Sequence, residues 1–233
     1  MRFSDAVDGF WLTNKRNRAE STFASYSRIY CRLEAFVEDA ELEEITSRRV
    51  NEYLTYLVDE RGVQAQTVMN HWIALSAFWK WASGDLQIQN VIRQGVPRPK
   101  VSKKARMPFT KDEVKAIARS LRYRTSYDRV NDKYVEVERS QYARDAAMMA
   151  VLLDTGIRAG ELCALNVADF NKQNGRLIVL HGKGDKQRTL PMGDRSRRRL
   201  WQYLMKRGEV DESEPLFVTR DSRRLDRNLL YQI

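Results

Sequence analysis

The chain has 233 residues, 42% of them hydrophobic with five tryptophans, so it can bury one large core or two smaller ones, and disorder throughout is excluded. Lys and Arg number 41 against 31 Asp and Glu, a formal charge of +10, which suits a polyanionic partner or, more plainly, a soluble protein with a basic surface. The longest apolar stretch, Ala146 to Leu153, is too short to span a bilayer, and the first residues lack the apolar core of a signal peptide, so the expected location is the cytoplasm without membrane attachment.

Ala6, Val7, Phe10 and Trp11 predict a short first helix. Tyr26, Ile29, Tyr30, Leu33, Phe36 and Val37 recur at three- and four-residue spacing and predict a second. Val50, Tyr53, Leu54, Leu57 and Val58 give a third, with Gly62 as its stop. Val68, Trp72, Leu75, Trp79 and Ala82 give a fourth, its buried face widened by Ile73, Phe78 and Trp81. The expectation is a helical unit over 1–96 with no strand. Cys31 and Cys163 each fall in an apolar helical pattern and read as small buried hydrophobes in a reducing compartment; neither suggests a metal site.

Residues 97–107 carry two prolines, and Arg98, Lys100, Lys103, Lys104 and Arg106 without one acid, so an extended basic linker is expected. The charge divides there. Residues 1–96 hold 11 Lys and Arg against 13 Asp and Glu, whereas 97–233 hold 30 against 18. Linker cations can lie on phosphates, letting two domains close around a duplex; a solvated hinge is the plainer alternative. In the first domain Arg48, Arg49 and Lys80 are candidate DNA contacts, with a solvated helix face as their alternative.

A second domain, 108–233, opens with Thr110-Lys111-Asp112-Glu113, a capping box, followed by an amphipathic helix. Residues 122–138 read as a long loop, with a short extended piece around Tyr134 to Val137. Ala143 to Leu153 predicts a buried helix, Leu177–Leu180 and Arg188–Leu190 two strands, Arg195 to Lys206 a helix, and Leu216–Val218 a short apolar segment before a final helical start.

Two polar stretches sit on these apolar elements: Asp154-Thr155-Gly156-Ile157-Arg158-Ala159-Gly160-Glu161-Leu162, and His181-Gly182-Lys183-Gly184-Asp185-Lys186-Gln187-Arg188. Gly156 can end the buried helix and let Arg158 begin the next with its guanidinium out of the core; Glu161, three residues on, can orient it. A guanidinium so held offers a planar fork to two phosphate oxygens. Lys183, in a glycine-flanked turn between strands, can reach a leaving oxygen as a proton donor. Each signal has a plainer reading, a surface ion pair for the first and an ordinary hairpin for the second.

Together, Thr155-Gly156-Ile157-Arg158 with Glu161-Leu162, and Gly182-Lys183-Gly184-Asp185-Lys186 with Arg188 and Leu190-Pro191, resemble the first catalytic box and the lysine-bearing hairpin of the tyrosine recombinase (phage integrase) family, nearest its Xer-like members. The resemblance implies a mainly α fold with a small β-sheet in the second domain: a four-helix, SAM-like core-binding domain, then part of an α+β catalytic domain. It implies Arg158 as first catalytic arginine, Glu161 as the acid beside it and Lys183 as proton donor to a leaving 5′ oxygen, with Lys186 and Arg188 on DNA. The implied reaction is site-specific recombination or integration through a 3′-phosphotyrosyl intermediate on double-stranded DNA, by a homo-tetramer, with neither metal nor nucleotide cofactor. The family's His-x-x-Arg box and nucleophilic tyrosine are expected beyond Leu230: neither His71 nor His181 has an arginine three residues later. Tyr231 reads as a core residue. A binding-only regulator of the same sites, and a basic helical regulator unrelated to recombinases, are the alternatives.

Overall fold

The computed structural model describes residues 1–102, 105, 107–180 and 187–233. The chain divides into two compact units, Met1–Arg106 and Met107–Ile233. The architecture is mainly helical, with small antiparallel sheets in the second unit. Among the described residues, no helix is long and apolar enough to cross a membrane.

The first unit contains α1 (Phe3–Asn14), α2 (Glu20–Val37), α3 (Ser47–Asp59), α4 (Ala65–Asp85) and the short α5 (Val91–Gly95). The sequence reading missed α5, which is one turn and too short to show a period; Asn90 caps it, its side chain accepting from the Arg93 amide at 3.0 Å. Phe3, Phe10, Tyr30, Phe78 and Trp79 are fully buried and meet in edge-on, tilted and, for Phe3 with Trp79, stacked pairs, the burial of each ring contributing roughly 2–3 kcal/mol. The buried Tyr30 hydroxyl donates to the Ala74 carbonyl at 3.0 Å. Buried His71 pairs through Nδ1 with the Tyr53 hydroxyl at 2.9 Å, and burial holds its pKa down to about 4.

Three side chains of this unit correct the periodic reading. Cys31 is exposed, because Tyr30, Leu33 and Val37 already occupy the inward face of α2 and position 31 is rotated about 100° from Tyr30. Val58 and Ile73 are exposed at the margins of α3 and α4 for the same reason.

The second unit begins at α6 (Lys111–Arg122), whose capping box forms as expected: the Thr110 amide donates to Glu113 at 2.7 Å, and the Glu113 amide to the Thr110 hydroxyl at 3.2 Å. Within the expected loop over 122–138, the extended piece around Tyr134 to Val137 is strand β2 (Lys133–Glu138), and the rest is not loop: β1 (Tyr123–Asp128) pairs with it as a hairpin, in register Tyr127↔Tyr134. Both of its faces carry polar groups, so no alternation marked it. The Asp128 side chain closes its turn by accepting from the Val130 amide at 3.0 Å.

The central helix α7 (Tyr142–Thr155) packs on α9 (Asp194–Arg207), and between them in sequence lie α8 (Ala159–Ala164) and an antiparallel sheet ordered β3 (Phe170–Asn171), β4 (Arg176–Val179), β5 (Arg188–Pro191). Helix α7 is less uniformly apolar inside than expected. Leu153 is exposed, whereas Arg144 and Asp145 are buried and paired, Nε to Oδ1 at 2.7 Å, with Arg144 also donating to the Val218 carbonyl at 3.1 Å. Asp154 reaches across to the start of α9, accepting from the Gly193 amide at 2.6 Å and from the Ser196 hydroxyl. A final turn, α10 (Arg227–Leu230), sets Leu229, Leu230 and Ile233 against the core. Tyr231 is not a core residue: it is 69% exposed, since its neighbours take the inward positions.

Candidate active site

The site starts where α7 stops. Gly156 adopts φ +61°, and its amide donates to the Leu152 carbonyl at 3.1 Å. A side chain there would meet no atom within 4 Å, so the left-handed backbone, not crowding, is what calls for glycine. Thr155 fastens the bend: its hydroxyl donates to the Val151 carbonyl at 2.7 Å and accepts from the Ile157 amide at 3.3 Å. With Ile157 buried beneath, the next residue, Arg158, is left at the N-cap of α8.

An arginine cannot cap a helix by accepting a hydrogen bond, so the acceptor comes from Glu161. Its Oε2 takes the Arg158 backbone amide at 2.9 Å and its Oε1 takes Arg158 Nη1 at 2.8 Å. Arg188, at the start of β5, adds a second grip in fork geometry: Nη1 to Oε1 at 2.9 Å and Nη2 to Oε2 at 2.6 Å. The three side chains differ sharply in exposure, 7% for Glu161, 34% for Arg188 and 59% for Arg158. The carboxylate is thus a buried anchor and the Arg158 guanidinium an accessible cation. The Arg188 bonds above all, then those of Arg158, pull the Glu161 pKa down to about 2 against the opposing effect of burial.

This geometry joins the two polar stretches of the sequence. Strands β4 and β5 are paired at Val179↔Arg188, and Arg188 ties that hairpin directly to the start of α8. Sequence reading assigned Arg188 to DNA; in the structure its guanidinium is held by Glu161. The spacing of charges could not reveal this, because 27 residues separate the partners. Lys183 and Lys186 lie outside the described residues, as do Lys103, Lys104 and Arg106.

The remaining sequence candidates are dispersed in the first unit. Arg48 and Arg49 both pair with Glu52, at 3.0 and 3.3 Å, and Arg49 also donates to the Phe36 carbonyl at 3.2 Å. Lys80 and Lys100 are exposed, and the Arg98 guanidinium stands 5.8 Å from the Trp72 ring.

Comparison with known proteins follows the same two-part division. Residues 124–233 match the phage integrase family, and residues 12–88 match the phage integrase N-terminal SAM-like domain. Tyrosine recombinase XerD of Oceanobacillus iheyensis is 24% identical over 241 residues, spanning 98% of this chain and 75% of the relative. Tyrosine recombinase XerC of Pelobacter propionicus is 27% identical over 231 residues, spanning 95% and 70%. Among solved structures, a lambda integrase (75–356) dimer bound to a COC′ core site superposes with TM-score 0.74 at 20% identity, covering 99% of this chain and 78% of that one. The Tn1549 transposon integrase in complex with transposon right end DNA gives 0.69 at 17% identity, covering 97% and 73%. With matches to both of its domains and relatives aligned along nearly its whole length, this chain belongs to the phage integrase family of tyrosine recombinases.

Proposed function

We propose that the protein carries out site-specific DNA recombination or integration by cleaving and rejoining strands through a 3′-phosphotyrosyl link. The observation that carries this reading is the Glu161 carboxylate gripped by both Arg158 and Arg188, which leaves one guanidinium rigid, solvent-facing and able to take two phosphate oxygens. Arg158 neutralises charge that develops on the scissile phosphate, Glu161 orients Arg158, and Lys183 donates the proton to the departing 5′ oxygen. Lys186, Arg98, Lys100, Lys103, Lys104 and Arg106 hold the phosphate backbone of a duplex, consistent with the positive balance of residues 97–233. Arg48, Arg49 and Lys80 have a smaller share, since two of them are already engaged by Glu52.

These 233 residues contain no His-x-x-Arg pair, so the second clamp and the nucleophilic tyrosine are read as belonging to sequence outside them. The whole enzyme works in the cytoplasm as a tetramer on DNA; a lambda integrase tetramer bound to a Holliday junction is among the similar folds, with TM-score 0.74. The alternative is a protein that occupies recombination sites and regulates complete partners without cutting.

The test is a nicked suicide duplex offered both to these 233 residues and to the full-length polypeptide. The expected result is salt-sensitive duplex binding by both, with affinity falling roughly as the −0.9 power of salt for each phosphate neutralised, and a covalent adduct from the full-length protein alone. An adduct formed by the 233 residues contradicts the assignment of the nucleophile. Absence of adduct from a full-length protein that binds the duplex selects the regulatory reading.

A further inference from the structure

Helix α8 is only six residues long, about 9 Å, yet it carries Arg158 at its N-cap. A helix this short makes few internal bonds, so its orientation is set by what grips its ends. Glu161 holds the first end. The other is held from far along the sequence by Arg224, whose Nη1 donates to the carbonyls of Cys163 at 3.2 Å, Ala164 at 3.0 Å and Leu165 at 3.2 Å, while its Nη2 donates to Asn166 Oδ1 at 2.5 Å. The carbonyls of Cys163 and Ala164 are orphan acceptors of the kind every helix leaves at its C-terminus, where a cation is favoured, while the Leu165 carbonyl also accepts from the Leu216 amide at 2.8 Å.

Arg224 is itself well placed to hold them. Its backbone is bridged to Val218, and the next residue, Leu225, is buried with its amide bonded to the Phe217 carbonyl at 3.2 Å. Three residues later the Arg227 stem rests over the first turn of α8: a Cβ at Gly160 would stand 3.4 Å from Arg227 Cδ. The segment Arg224–Arg227 therefore runs along α8 with an arginine at each end.

We propose that Arg224 is a positioning residue for Arg158, fixing the tilt of α8 so that the Arg158 guanidinium meets the scissile phosphate in register. The proposal rests on the recombinase reading above. Freed of Arg224, the last turn of α8 frays and the helix pivots about its Glu161 anchor; a displacement of about 1 Å at a clamping group costs up to about 100-fold in rate.

The experiment uses the full-length polypeptide and a nicked duplex whose cleavage site has been mapped by adduct formation. Single-turnover cleavage and duplex Kd are measured for Arg224→Ala and Arg224→Lys, and for Arg224→Ala combined with Arg158→Lys. Arg224→Ala should slow cleavage about 10- to 100-fold with Kd within about threefold, and Arg224→Lys, which keeps a cation on the carbonyls, should recover most of the rate. On the Arg158→Lys background, Arg224→Ala should add less than about twofold, because the group it positions is already lost. An equal loss on both backgrounds, or a loss that merely follows the folded fraction seen by circular dichroism, overturns the proposal. If Arg158→Lys is impaired and Arg224→Ala cleaves normally, this inference falls and the recombinase reading stands; if Arg158→Lys cleaves at the wild-type rate, both fall.

Discussion

Replacing Glu161 with glutamine keeps the shape of the anchor and removes its charge. The carboxylate accepts four hydrogen bonds, three from guanidinium nitrogens and one from the Arg158 amide, and its side chain is 7% exposed. A glutamine has one acceptor oxygen, so its amide nitrogen must face at least one donor. Bonds to charged groups are worth about 1.5–3 kcal/mol each, and breaking a buried pair costs about 3–5 kcal/mol. Water can still reach Arg158 and, in part, Arg188, which lowers the expected cost to about 2 kcal/mol. The pH dependence is sharper than the magnitude. Because Arg188 and Arg158 depress the folded pKa of Glu161 to about 2 from 4.5, its contribution is fully present above about pH 4.5 and is lost as pH falls through about 2. Hydrogen exchange of the amides of residues 158–165 should therefore show a gap in protection between wild type and Glu161→Gln that is constant from pH 7 to 5 and closes below pH 4.5. A gap that stays open at pH 2, or no gap at pH 7, refutes the argument that the charge of Glu161 holds this turn.

Two further predictions concern stability. His71 is kept neutral by burial, with its pKa lowered to about 4 from 6.5, so the first unit should hold its full stability above about pH 6.5 and lose on the order of 2–3 kcal/mol as pH falls toward 4. Urea melts followed by tryptophan emission, to which Trp11, Trp72, Trp79 and Trp81 of that unit contribute, should show the midpoint falling over that window; a flat midpoint contradicts a buried neutral imidazole. Asp154→Ala removes the acceptor for the Gly193 amide, at the N-cap of α9, and for the Ser196 hydroxyl, and should cost about 1–2 kcal/mol in thermal melts of the whole chain, while Asp154→Asn should cost less.

What the sequence showed and what it hid follow from the range of each interaction. Helices α2, α3 and α4 announce themselves because their buried residues repeat within a turn or two. The Thr110–Glu113 box and the Gly156 bend are equally local, four residues or fewer, and both form where expected. Of the hairpin β1–β2 only the extended piece around Tyr134 to Val137 is legible, because neither face is buried and strand pairing leaves no alternation behind. An apolar run does not say which of its members faces out: Cys31 lies about 100° round α2 from buried Tyr30, and Tyr231 follows the last residue of α10, so both are exposed. At the site, Arg158 with Glu161 is legible as an i, i+3 pair. The Arg188 grip and the Arg224 cap were not, since they cross 27 and about 60 residues and only the folded chain brings them together.

The central claim is that the Arg158 guanidinium is held rigid for a phosphate and not for the fold. It is tested most directly by Arg158→Ala in the full-length protein, comparing single-turnover strand cleavage with duplex affinity. Cleavage should fall by about 1,000-fold or more while Kd changes by less than about threefold and the melting temperature stays within a few degrees. Parallel losses of cleavage, binding and stability would contradict it, and would make Arg158 a structural partner of Glu161.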